Sequence, residues 1–118
     1  MYQQAQVLRE QAQAERQKAE ELYSQMEAEA EKLARQLVES RVAACVSILP
    51  GARSIYRWQG QVETAMEWVL IIKSSRELFE ELRLAMEKAH SYDVPEMLAL
   101  PVVEGAPNYL NWLEGQLK

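Results

Sequence analysis

The first glycine or proline in this chain is Pro50, so nothing in the preceding residues obliges the backbone to turn. Those residues are dense in Gln, Ala, Glu, Lys and Arg, which lose little side-chain freedom in a helix. Leu8, Ala12, Ala19, Leu22, Met26, Ala30, Leu33 and Leu37 recur mostly at three- and four-residue spacings and make one apolar stripe. Glu15 and Glu29 break a strict heptad, so an ideal coiled coil is not specified. A helix from about residue 3 to residue 40 would be roughly 55 Å long at 1.5 Å per residue. A domain this small cannot cover such a length, so the first half must project or pack on another subunit.

After this run the period changes from helical to two. Val42, Ala44, Val46 and Ile48 fall on one face, and Ala43, Cys45, Ser47 and Leu49 on the other, a strand pattern. Pro50-Gly51 interrupts it as a bend or bulge would. Extended character resumes at Ile55-Tyr56-Arg57-Trp58 with both aromatics on one face, and Gln59-Gly60-Gln61 reads as a hairpin tip. The returning strand Glu67 to Lys73 is apolar at nearly every position, which predicts burial on both faces. A long bent hairpin is therefore the expected centre of the protein.

Ser74-Ser75-Arg76-Glu77 has capping-box spacing, with Ser74 as the expected cap. The helix that follows groups Leu78, Leu82, Ala85 and Ala89, with Phe79 and Met86 beside them. It ends in His90 to Glu96, where Pro95 disfavours a helical Val94. Met97 to Val103 is predicted to be a further strand, with Pro101 confining it to an edge or a strand end. Gly105 and Pro107 then introduce a C-terminal helix with Leu110, Leu113 and Leu117 on one stripe and Tyr109 and Trp112 on another. The order helix, hairpin, helix, strand, helix predicts an α+β sheet with helices on one face.

With 118 residues this is one domain with room for an appendage, read as a helical extension over 1–28 and a domain over 29–118. No apolar run approaches the roughly 20 residues of a membrane span, and no secretory signal pattern is visible. The net charge of −5, without a Lys/Arg cluster, excludes a nucleic-acid surface. One cysteine allows no internal disulfide and fits a reducing, cytoplasmic location. No Ser-His-Asp, Cys-His, HExxH, CxxC or phosphate-binding glycine loop is present, so an enzyme is not expected.

The segments EKLARQLVESRVAACVSILPGARSIYRWQGQVE, EWVLIIKS and HSYDVPEMLALPVVEGAPNYLNWL together resemble the CutA divalent-cation tolerance proteins, from about Glu29 to Leu113. The resemblance implies a ferredoxin-like fold related to the PII signal proteins, a tight homotrimer, an association with copper and other divalent cations, and no established catalysis. It also implies a strand just before the first helix, at about residues 14–22. The sequence there, AERQKAEEL, has no β-branched residue and cannot be that strand. An elongated helix is expected in its place, with the sheet closing up or completed within an oligomer.

Three candidate metal-ligating residues follow. Cys45 belongs to the AAC motif of the resemblance; it reads either as a small buried residue or as a soft-metal ligand for copper(I). His90 reads as a helix-end histidine or, with Glu96, as a weak site for a borderline divalent ion. The resemblance further places Tyr56, Trp58, Lys73 and Tyr92 along an intersubunit cleft. No cofactor is required, copper or another divalent metal ion is the possible ligand, and neither nucleic acid nor membrane is an expected partner. A PII-like module with a small ligand in the cleft, or a scaffold altered at its N-terminus without retained activity, are the alternative readings.

Overall fold

The computed structural model of the protein describes residues 2–89 and 96–118. Helix α1, Tyr2–Glu39, is one uninterrupted element, about 57 Å long at 1.5 Å per residue. Its burial is one-sided and confined to its end: Ala30, Leu33, Ala34 and Leu37 are buried, whereas Met26 is the only half-buried residue among 3–29. The helix stops where the Val42 and Ala43 amides both donate to the Leu37 carbonyl, at 3.0 Å each. Arg41 takes the left-handed conformation there, at φ 63°, a position usually given to glycine.

Strands β1, Cys45–Trp58, and β2, Gln61–Lys73, form the antiparallel hairpin. Gln59 and Gly60, both at positive φ, make its two-residue tip. The register shifts once, between Leu49 and Ala52, so Pro50 and Gly51 together oppose Trp68 alone. This is the expected bulge. β2 starts at Gln61, six residues before the expected Glu67, because the whole returning arm pairs with β1.

Directly paired residues share a face and successive residues alternate, so the register sorts the hairpin side chains. Val46, Ile48, Arg53, Ile55 and Arg57 of β1 share a face with Ile72, Leu70, Trp68, Met66, Thr64 and Val62 of β2. Tyr23 of α1 lies against Trp68, with ring centroids 5.1 Å apart, so this is the helix side. Cys45, Ser47, Leu49, Ala52, Ser54, Tyr56 and Trp58 share the opposite face with Lys73, Ile71, Val69, Glu67, Ala65, Glu63 and Gln61.

Helix α2, Phe79–Ala89, follows a 3-10 turn at Arg76–Leu78. The capping expectation fails here: Ser75, not Ser74, occupies the cap position and makes no side-chain cap bond. The Ser74 hydroxyl instead donates to the Val42 carbonyl at 2.6 Å, which ties the end of β2 to the turn after α1. Leu78, Leu82 and Met86 of this segment join Leu33, Leu37, Val42 and Ala43 in one core, with Val46, Leu70, Ile72, Ala85, Met97 and Leu117 packed against it. Helix α3, Pro107–Gln116, starts on proline as expected.

Two expectations do not hold. Met97 to Val103 is not a strand, and β1 and β2 form the only sheet among the described residues. A strand requires a neighbour for its backbone groups, and no described backbone group bonds to this segment. Leu98, Leu100, Val102 and Val103 are accordingly 77–89% exposed. Nor is β2 buried on both faces: Val69 and Ile71, on the side away from α1, are 41% and 47% exposed. The helices cover the proximal half of one side of the hairpin; on the other side Tyr109 of α3 reaches Lys73, while Leu49, Val69 and Ile71 are exposed.

Candidate functional site

The alternation that places Val46 over the core, with Ile48 on the same face, directs Cys45 to the opposite face, as the sequence implies. Its thiol is half-buried and free. Lys73 is the direct cross-strand partner of Cys45. The Lys73 ammonium sits over the Tyr109 ring of α3, with Nζ 5.5 Å from the centroid. The hydrogen-bonding Tyr109 side chain first, and then the charges that Tyr109 and Cys45 can carry, hold the Lys73 pKa above its ordinary value. The Lys73–Tyr109 contact thus lies at the strand pair that carries Cys45, where the hairpin ends. Tyr109 appears in the sequence only as half of an aromatic stripe, and only the fold reveals its approach to Lys73.

The other sequence-predicted residues do not join this group within one chain. Tyr56 and Trp58 share the Cys45 face but lie at the far end of β1, eleven and thirteen residues along a strand that rises about 3.3 Å per residue. Both are exposed. Glu96 is exposed, in a segment without regular structure. His90 and Tyr92 lie outside the described residues. Among the described residues, no three His, Cys, Asp or Glu side chains gather as a metal site would require. Cys45 therefore belongs to no such group in the described part of its own chain.

Arg41 was missed by sequence reasoning. Its guanidinium donates to the carbonyls of Gly115, at 2.7 Å, and Gln116, at 2.9 Å. The Lys118 amide donates back to the Arg41 carbonyl at 3.0 Å. This clasp fixes the C-terminal end of α3 beside the turn after α1, and with it the position of Tyr109. An arginine one residue after a helix and serine pair gives no local signal of a contact more than seventy residues away.

The architecture defines an α+β protein whose long antiparallel hairpin packs its proximal half against helices on one side and leaves its distal half exposed. Residues 22–116 match the family described as CutA1 divalent ion tolerance protein. The divalent-cation tolerance protein CutA of Thermus thermophilus is 48% identical over 84 residues, which is 71% of this chain and 82% of that protein. CutA of Pectobacterium atrosepticum is 45% identical over 89 residues, 75% of this chain and 81% of that protein. The solved Thermus thermophilus structure superposes with a TM-score of 0.76 at 44% identity, over 78% of this chain and 89% of that one. The Oryza sativa CutA1 crystal structure gives 0.74 at 40% identity, over 77% and 84%. The chain belongs to the CutA1 family.

Proposed function

We propose that this chain is a divalent-cation tolerance protein of the CutA type, working as a cytoplasmic homotrimer of ferredoxin-like subunits that binds copper or a related metal ion weakly. Family membership supports the general role, and one observation supports the metal reading: Cys45 lies on the sheet face opposite the core, where Val69 and Ile71 are exposed. A single thiolate supplies one ligand, whereas a stable soft-metal site takes two or three. Copies of Cys45 brought together by assembly would meet that requirement, with about one copper(I) per several chains. Divalent ions such as zinc would be left to His90 and Glu96, at a weaker place.

The test is a copper(I) titration of the reduced protein beside Cys45→Ser and His90→Ala. Loss of at least tenfold in copper(I) affinity in Cys45→Ser, with His90→Ala unchanged, is expected. Unchanged affinity in Cys45→Ser with its assembly intact would return Cys45 to a packing role.

Lys73 favours a second reading. Its ammonium lies beside Cys45, where it opposes a bound cation and suits an anion. A PII-like module would take a small anionic ligand between subunits, with Tyr56, Trp58 and Tyr92 as cleft walls. Anion binding lost in Lys73→Met and kept in Cys45→Ser would select this reading over the metal one.

A further inference from the structure

The two long edges of the hairpin differ. The outer edge of β1 contains Pro50, which has no N–H to offer, and the bulge beside it. Both features protect an edge from pairing. β2 contains neither proline nor glycine, and from Trp68 to Ile72 it carries no charge. Alternate amides and carbonyls of an edge strand point away from its neighbour. Those of β2 have no backbone partner among the described residues. The stretch is apolar on both faces, with Trp68, Leu70 and Ile72 on the helix side and Val69 and Ile71 on the other. The Trp68 indole N–H is buried there without an acceptor.

We propose that the free edge of β2 docks an extended peptide segment of a partner protein as an antiparallel third strand. Antiparallel pairing is the more stable per residue. The charges that bound the stretch, Glu67 and Lys73, share the face away from α1 and set the occupant's chemistry. It carries an acid opposite Lys73, β-branched apolar residues along the stretch, and a base opposite Glu67. A threonine opposite Trp68 places a hydroxyl on the indole's side of the sheet. The chain supplies no such strand itself: residues 2–39 and 107–116 are helical, and Met97 to Val103 is interrupted by Pro101. A second copy is the poorer occupant. Its β2, laid antiparallel with Lys73 against Glu67, sets Ile72 opposite Trp68 and brings the indole no side-chain acceptor.

The experiment is a fluorescence anisotropy titration of the full chain with a labelled, end-blocked peptide Glu-Val-Val-Val-Ile-Thr-Lys. Saturable binding is expected, and at saturation amide exchange should slow over Trp68 to Ile72. The same peptide methylated at alternate backbone nitrogens keeps its side chains and loses edge donors, so its affinity should fall by about tenfold or more. Glu67→Lys should weaken binding by about threefold, and exchanging the peptide's lysine for glutamate should restore it to that variant. No binding by the wild-type chain at about 100 μM peptide overturns the inference. So does equal affinity for the methylated peptide, which would mean apolar adhesion without strand pairing. Protection confined to α1 or β1 places the peptide elsewhere and also overturns it. Sedimentation of the saturated protein decides the last alternative: a peptide that binds only by splitting the assembly would show that a second copy holds this edge, and the inference would fall.

Discussion

Arg41 carries a conflict between backbone and side chain. Its left-handed φ disfavours any residue with a Cβ by about 1 kcal/mol or more, yet its guanidinium holds two carbonyls of the α3 end. Arg41→Ala keeps the backbone penalty and discards the bonds, whereas Arg41→Gly discards both. Alanine should therefore be the less stable by about 1 kcal/mol, measured by urea denaturation. Equal stabilities would mean that the turn relaxes when the arginine is removed. Lys73 makes a prediction in pH. Its folded pKa lies above its ordinary value of 10.5, chiefly through Tyr109. A raised pKa contributes stability that is fully present below the unfolded value and lost as pH rises through the folded one. The stability gap between wild type and Lys73→Met should therefore narrow as pH rises past 10.5. A gap undiminished well above pH 10.5 would contradict the contact.

At the scale of elements, burial divides α1 sharply. Leu37 is 3% exposed and sits in the core, so Leu37→Ala should cost about 2–5 kcal/mol. Leu8, which is exposed, should cost about 0.5 kcal/mol or less on the same change. Amide exchange should mirror this, fast over the first half of α1 and slow near Leu33 and Leu37. Comparable protection in both halves would show that the first half is covered in solution. The helix, the hairpin, its tip and the bulge were legible because each rests on local chemistry: uninterrupted helix formers, period-two alternation, Gly60 and Pro50-Gly51. Met97 to Val103 was misread because its composition is that of a strand, whereas a strand also needs a neighbour, which no local pattern reports. The Ser74 cap failed for a similar reason, since a carbonyl from residue 42 competes for its hydroxyl. Of the candidate site, the facing of Cys45 followed from alternation, while Tyr109 and Arg41 depended on how distant segments meet.

The whole molecule is extended, with principal dimensions of 67 × 32 × 27 Å and a Cα radius of gyration of 19.4 Å. A compact domain of this length would have about 13.5 Å. A two-stranded sheet is marginal unless its faces are covered, and here both faces of the distal half carry exposed Ile55, Val62, Met66, Tyr56 and Trp58. Exposed Leu98, Leu100, Val102 and Val103 add to that uncovered area. Folding should therefore be tied to association, with a midpoint of thermal unfolding that rises with protein concentration. A midpoint independent of concentration from about 1 to 100 μM would show that the single chain is stable alone.

The bulge gives a consequence of a different kind, one of phase. By inserting one unmatched residue, it keeps Arg53, Ile55 and Arg57 in step with Met66, Thr64 and Val62. If the same sequence ran through without it, the distal part of β1 would slip by one position, and every side chain there would emerge on the other side. The arginines would then share a side with Glu63 and Glu67, and Tyr56 and Trp58 would cross over. Gly51, at φ 77° and with open space where a side chain would be, thus sets the polarity of an arm in which it has neither charge nor side-chain contact.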